Sequence, residues 1–279
     1  TVLRGGRTVL SGPIRLETAR SLAAAMLGSG EVPAPGPEPL PASGPIQVRA
    51  ERLVVYAGSG ATAVREATLE ARAGEVVAIV AVEGNGQREL LRALAGLLPV
   101  ASGRLELAQP VAFVSEDRTT EGLIPELSVT ENVTLGLGRA APWVQGVRLD
   151  WPEARRRTAE LIAAYGVRAA GPAAPVRTLS GGNQQRLVIA RALAAHPQVL
   201  LAENPARGLD VRAAGAVWRR LREAAALGAT VIVAIGDLDE ALAETDRLLV
   251  MAAGEVHAVP PGASRAEIGA LMLRGNRTA

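Results

Sequence analysis

The chain has 279 residues, 48% of them hydrophobic, enough for one large packed core or two smaller ones and too apolar for a disordered chain. All 30 basic residues are arginine against 28 acidic ones, a formal charge of +2, and aromatic residues make up 2%, which argues against a nucleic-acid surface or a base-stacking platform. The lack of cysteine excludes disulfides and thiolate metal sites, His196 and His257 have no ligand spacing, and no apolar run reaches the roughly 20 residues of a membrane-spanning helix.

The start, TVLRGGRTVL, lacks a signal-peptide core, so a cytoplasmic protein is expected. Val2 to Val9 reads as a short hairpin with glycine at its turn, followed by an apolar-periodic helix over Glu17 to Gly28. The same pairing recurs near the end, in Val250 to His257 and Ser264 to Gly275, and predicts a duplicated domain of which the first copy contributes only its tail, with a chance hairpin-plus-helix likeness as the alternative. Residues 30–45, GEVPAPGPEPLPASGP, are rich in proline and glycine and read as a semi-extended linker.

From Ile46 to Arg72 two alternating runs separated by Gly-Ser-Gly predict antiparallel strands. Val76 to Val82 is a fully apolar strand of the kind buried in parallel sheets. It enters Gly84-Asn85-Gly86 and then a helix over QRELLRALAGLL, the strand, glycine loop and helix of a phosphate-binding loop. Measured against GxxxxGK[ST], Ala81 replaces the first glycine, Gln87 the lysine and Arg88 the hydroxyl residue, and Glu89 adds a carboxylate beside any bound anion. Backbone amides of Gly84 to Arg88 remain able to cradle phosphate, while a non-binding glycine turn stays open as the alternative.

Val111 to Ser115 is a further strand, and an amphipathic helix follows in EARRRTAELIAAYGV, with Arg155, Arg156 and Arg157 on its solvated face. Leu179 to Leu193, LSGGNQQRLVIARAL, begins with Ser180 as a helix cap and with Gly181 and Gly182, which let backbone N–H groups approach an anion. Val199 to Ala202 is a second buried strand, ending in Glu203-Asn204-Pro205, and Thr230 to Ile235 is a third. These four runs, Val76 to Val82, Val111 to Ser115, Val199 to Ala202 and Thr230 to Ile235, are expected to share one mainly parallel sheet.

LSGGNQQRLVIARAL resembles the signature helix of the ATP-binding cassette (ABC) ATPases. VEGNGQRELLRALAGL, SEDRTTEGL, LSGGNQQR and ENPARGLDV together resemble the second ATPase half of the fused two-cassette proteins of bacterial sugar and nucleoside importers. The likeness covers Val2 to Gly275, and its Gly-Asn-Gly-Gln loop leans toward the nucleoside branch. It implies an α/β fold of the ABC-type P-loop NTPase kind, with an antiparallel β-subdomain and a helical subdomain on a mainly parallel sheet. It also implies a division into residues 1–29, the tail of a first cassette; residues 30–45, a linker; and residues 46–279, a second cassette whose helical part, about 118–178, rests on a transmembrane partner. The chain would then be a fragment of a longer protein or a partial gene product.

The resemblance also assigns roles. Tyr56 stands where an aromatic stacks on adenine, though a core tyrosine is nearly as good a reading; Gly84, Asn85, Gly86, Gln87, Arg88 and Glu89 form the ATP loop; and Glu116 takes the place of a glutamine that senses Mg2+ and the membrane partner. Glu203 is at the metal-orienting carboxylate and would hold Mg2+ weakly, Asn204 is at the general base, and Gly236 is at the γ-phosphate-sensing histidine. Ser180, Gly181, Gly182, Asn183 and Gln184 form a signature offered to the opposite cassette, and Asp210 belongs to the loop that contacts it. An amide cannot take a proton from an attacking water, so the chain's own ATPase is expected to be weak or absent.

Two functions follow as expectations. In one, the chain donates its signature to an ATP and Mg2+ site on a first ABC domain or second ATPase subunit, beneath permease subunits at the cytoplasmic face of the membrane. In the other, it hydrolyses ATP independently for the same transport. An ABC-type ATPase of DNA repair or translation lacks support, because no coiled-coil insertion or basic surface is present.

Overall fold

The computed structural model describes residues 1–4, 7–13, 15, 17, 18, 21, 22, 25, 44–260 and 262–274. β1 (Val2–Arg4) and β2 (Arg7–Leu10) pair antiparallel as a hairpin of their own. Most of the expected helix over Glu17 to Gly28, and of the linker over residues 30–45, lies outside the described residues.

β3 (Ile46–Tyr56) and β4 (Thr62–Arg72) alternate burial along their length and pair antiparallel. β5 (Val76–Ala81) is buried at every position, and α1 (Gln87–Leu94) follows the glycine loop. The sequence predicted that helix to continue to Leu98. It ends earlier because Ala95 caps it and Gly96 takes a left-handed φ of 73°, a C-terminal stop that glycine accepts without strain. β6 (Ser102–Leu107), which no sequence pattern announced, joins β3 to complete a sheet of order β4-β3-β6.

β7 (Val111–Val114) leads into a π-helical turn, Arg118–Gly122, and then α2 (Val129–Leu137). The small hairpin of β8 (Val144–Gln145) and β9 (Arg148–Leu149) precedes α3 (Trp151–Ala164), capped by Asp150. On α3 the exposed Arg156 and Arg157 both pair with Glu153, the solvated face the sequence predicted. α4 (Gly181–Ala194), β10 (Val199–Glu203), α5 (Val211–Ala226), β11 (Thr230–Ile235), α6 (Leu238–Glu244), the hairpin of β12 (Arg247–Ala252) and β13 (Glu255–Ala258), and α7 (Arg265–Met272) complete the chain.

The four apolar runs share one sheet, of order β13-β12-β5-β11-β10-β7, parallel except for β13. Because side chains alternate across a strand, each central strand supplies two cores. Val76, Ala78, Val80, Leu200, Ala202, Val231 and Val233 pack with α4 and α5 on one face. Val77, Ile79, Val199, Leu201 and Ile232 pack with α1 and the antiparallel sheet on the other. The C-terminal ends of β5, β10 and β11 therefore emerge together at one edge, where ligands sit in open α/β sheets.

Candidate functional site

At that edge lies a cleft of about 600 Å³ lined by Ala81, Glu83, Gly84, Gln87, Arg88, Glu89, Glu116, Glu203, Asn204, Arg207, Ala234, Ile235, Gly236, Asp237 and Glu240. The glycine loop enters it with Gly84 at φ 87° and Gly86 at φ 97°. A Cβ on Gly86 would lie 2.1 Å from the carbonyl oxygen of Ala63, so only glycine fits between the loop and the antiparallel sheet. Asn85, expected at phosphate, turns its side chain into the fold. Its Nδ2 donates to the Val82 carbonyl at 2.8 Å, and its Oδ1 accepts from the N–H of Ala253 at 2.7 Å, tying the loop to the turn between β12 and β13. Gln87, Arg88 and Glu89, the first turn of α1, line the cleft, and a helix leaves its first-turn N–H groups without intrahelical acceptors. Gln87, in the lysine position, has a buried Oε1 with no hydrogen-bond partner.

The cleft is acidic. Glu83, Glu89, Glu116, Glu203, Asp237 and Glu240 line it against Arg88 and Arg207. Glu203 is the most buried of these, at 2% exposure, and two arginines from one face of α1 close on it. Arg92 Nε donates to Glu203 Oε1 at 2.8 Å and its Nη2 to Oε2 at 3.1 Å, a forked contact. Arg88 Nε stands 3.6 Å from the same carboxylate, and both arginines also reach Glu121, at 3.2 Å and 2.5 Å. The Glu203 hydrogen bond is the largest cause that holds the Arg92 guanidinium well above its ordinary pKa, against the opposing effect of burial.

Asn204 is held in a left-handed conformation, φ 39°, which asparagine tolerates better than most residues. Its Nδ2 donates to Glu116 Oε2 at 2.8 Å, its Oδ1 accepts from the Gly236 N–H at 3.2 Å, and its own N–H donates to the Ala234 carbonyl. Arg207 pairs with the other oxygen of Glu116. Three positions read separately in the sequence, Glu116, Asn204 and Gly236, thus form one hydrogen-bonded cluster across the cleft floor.

Tyr56 is 52% exposed at the end of β3 and does not line the cleft. The signature residues stand apart from the cleft too. Ser180 is exposed at the start of α4, but its hydroxyl makes no capping bond to the helix; it accepts from Asn183 Nδ2 at 2.8 Å instead. The expected cap is thus replaced by a side-chain contact, while Asn183 Oδ1 takes the N–H of Arg168 and Gln184 Nε2 donates to the Val176 carbonyl. Asn183 and Gln184 tie the loop to Ser180, Arg168 and Val176, while Ser180 is exposed and Gly181 and Gly182 are half-buried beside it. Arg118 lies against Gly181, 2.8 Å from where a Cβ would be. Asp210 caps α5 by accepting the Ala213 N–H.

Sequence reasoning missed Arg92, Glu121, Asp237 and Glu240, and it read Arg207 only as the start of the loop, Arg207 to Asp210, that would contact the opposite cassette, not as a cleft residue. The one usable signal was Arg88 and Arg92 at i and i+4, two cations on one helix face beside a strand ending in glutamate.

Residues 64–207 match the ABC transporter family. The nucleoside import ATP-binding protein NupA of Lactococcus lactis subsp. cremoris is 32% identical, with 99% of this chain and 58% of that protein covered. The xylose import ATP-binding protein XylG of Burkholderia ambifaria is 33% identical over 92% of this chain and 52% of its own length. The ribose import ATP-binding protein RbsA 1 of Streptomyces avermitilis is 38% identical over 68% and 39%. The chain thus spans about half the length of the curated relatives it matches. Among solved structures, an ATP-binding subunit of an ABC transporter superposes with TM-score 0.67 at 19% identity, covering 82% of this chain and all of that one. A nucleotide-free ATP-binding cassette from an ABC transporter superposes with TM-score 0.63 at 22% identity, covering 82% of this chain and 95% of that one. At these identities the superpositions speak for the fold.

Proposed function

The chain belongs to the ABC transporter family of ATP-binding domains, and from that premise we propose that it is the second cassette of a two-cassette importer for simple sugars or nucleosides. In this reading it works by lending its signature to the ATP site of a partner cassette. In this reading permease subunits supply the path through the membrane and the chain docks at their cytoplasmic face, as its likeness to import ATP-binding proteins suggests; among the described residues no helix is long and apolar enough to cross a membrane.

The observation that carries the division of labour is the state of Asn204. An amide stands where a proton acceptor is needed, and both ends of it are committed, to Glu116 and to Gly236. Gln87 supplies no charge to a β- or γ-phosphate, and the cleft's six carboxylates oppose an anion. At the signature the opposite holds. Ser180 and the first turn of α4 form a surface of hydroxyl, N–H groups and helix dipole fit to stabilise the charge of a transferring phosphoryl group. Tyr56 keeps an exposed ring at the end of β3, outside the cleft lining, so its stacking on adenine is a part of this reading that Tyr56→Ala nucleotide-binding measurements would test.

The test is the ATPase rate of the chain alone and reconstituted with an intact first cassette. Alone it should be at background. In the pair, Ser180→Ala should lower the rate by about 10²–10³, the usual cost of losing one transition-state donor, while Gln87→Ala should leave it nearly unchanged. Equal sensitivity at both positions would show that the altered site hydrolyses, which is the independent-ATPase reading.

A further inference from the structure

Mg2+, which ABC ATPase domains generally use with ATP, requires oxygen ligands at about 2.1 Å in near-octahedral geometry. The residues around Glu203 do not fit it. Both carboxylate oxygens already face nitrogen donors: Oε1 meets Arg92 Nε at 2.8 Å and Arg88 Nε at 3.6 Å, and Oε2 meets Arg92 Nη2 at 3.1 Å and the Glu116 N–H at 3.3 Å. The hydroxyl that would complete the metal's shell is replaced by Arg88, itself a cation. Among the described residues no three His, Cys, Asp or Glu side chains converge as a metal cage.

We propose that Arg92, seconded by Arg88, is a built-in counter-ion that permanently occupies the metal's place beside Glu203, making this cleft independent of Mg2+. The cluster of Arg88, Arg92, Glu121 and Glu203 closes on itself with two positive and two negative charges. It therefore needs no external cation, and an added one would meet two guanidinium groups before it reached an oxygen. The guanidinium is also a firm fixture: its stem emerges from a helix whose other faces bury Leu90, Leu91 and Leu94, and it lies over the Phe113 ring, 6.0 Å from the centroid. A metal ion can leave with the nucleotide; a side chain on α1 cannot. The consequence is a cleft whose charge stays constant through a transport cycle, so that its part is structural while the metal-dependent chemistry belongs to the partner's site. The proposal rests on Glu203 being the family's metal-orienting position, but its test uses the chain without a partner and so is independent of the signature reading.

The experiment titrates Mn2+ into the isolated chain, followed by electron paramagnetic resonance, alongside thermal unfolding with and without millimolar Mg2+. The wild-type chain should leave the Mn2+ signal unbound and its Tm unmoved by Mg2+. Arg92→Gln should lower Tm by on the order of 10 °C, because Glu203 loses its main partner at a buried site, and Mg2+ should then restore about 5 °C or more. Adding Glu203→Gln to Arg92→Gln should abolish the Mg2+ response. Should Arg92→Gln fail to fold, the wild-type titration and the milder Arg92→Lys carry the test. One saturable Mn2+ site in the wild-type chain, competed by Mg2+ and lost in Glu203→Gln, would overturn the proposal, as would an Arg92→Gln chain with unaltered Tm and no response to Mg2+.

Discussion

Gly86 and Gly182 both stand at the start of a helix beside a suspected phosphate position, yet the fold constrains them very differently. Gly86 has a positive φ and a backbone oxygen 2.1 Å from any Cβ, whereas a Cβ on Gly182 would meet nothing nearer than Leu209 Cδ2 at 3.9 Å. Gly86→Ala should therefore destabilise the chain by about 3 kcal/mol or more, combining backbone strain with a clash that only movement of β4 relieves. Gly182→Ala should leave the unfolding midpoint unchanged within about 0.5 kcal/mol, and any loss of ATPase in the reconstituted pair would then report on the surface offered to the partner. Denaturant melts of both variants check this; a large destabilisation at Gly182 would remove it from the signature argument. At this scale, the sequence disclosed which residue types stand at the loop, the signature and the strand ends. It did not disclose where Asn85 and Asn204 direct their amides, because Ala253 and Glu116, their partners, are distant in the chain and no spacing encodes the contact. The pairing of Arg92 with Glu203 was hidden for the same reason.

Elements were legible in proportion to how completely they are buried. β5, β10 and β11 are covered on both faces, so each appears in the sequence as an unbroken apolar run. β6 has only partial cover, and SGRLEL carries too little alternation to announce a strand; its place is set by pairing with β3. The start of α2 is set by a local contact between residues three apart. Ser128 accepts the Glu131 N–H at 3.2 Å while the Glu131 carboxylate accepts the Ser128 N–H at 2.7 Å, a reciprocal capping box. Ser128→Ala should cost about 1 kcal/mol at neutral pH. The Ser128 hydroxyl, then its N–H, hold the Glu131 carboxyl below its ordinary 4.5. A depressed carboxyl contributes its stability above the unfolded value and loses it as pH falls through the folded one. The penalty of Ser128→Ala should accordingly shrink as the pH is lowered below 4.5, measured as the difference between wild-type and variant denaturant midpoints across that range. A penalty that is flat with pH would mean that the carboxylate half of the box contributes nothing.

For the whole molecule, a division near Ile46 is a proposal that strand pairing supports. Among the described residues, the six strands of the central sheet and the three of the antiparallel sheet lie between Ile46 and Ala258, and β1 and β2 pair with each other. In that hairpin Leu3 is 68% and Val9 38% exposed, and two-stranded hairpins are marginal in water without a further surface to bury against. A chain beginning at Gly44 keeps the last contacts that anchor the body's own start, the Gly44 carbonyl with Arg72 Nη1 at 3.3 Å and the Pro45 carbonyl with the Ala73 N–H at 2.9 Å. Such a chain should unfold at the same denaturant midpoint as the full one, within about 0.5 kcal/mol, because the described residues it removes share no sheet with the rest. In the full chain, amides of Arg7 to Leu10 should exchange with solvent by local opening, whereas those of Val199 to Glu203, buried at every position between two parallel neighbours, should exchange only on global unfolding. Hydrogen exchange read by mass spectrometry separates the two regimes by orders of magnitude. Equal protection in both segments, or a midpoint lowered by removing residues 1–43, would make the leading hairpin an integral part of this cassette rather than the end of another.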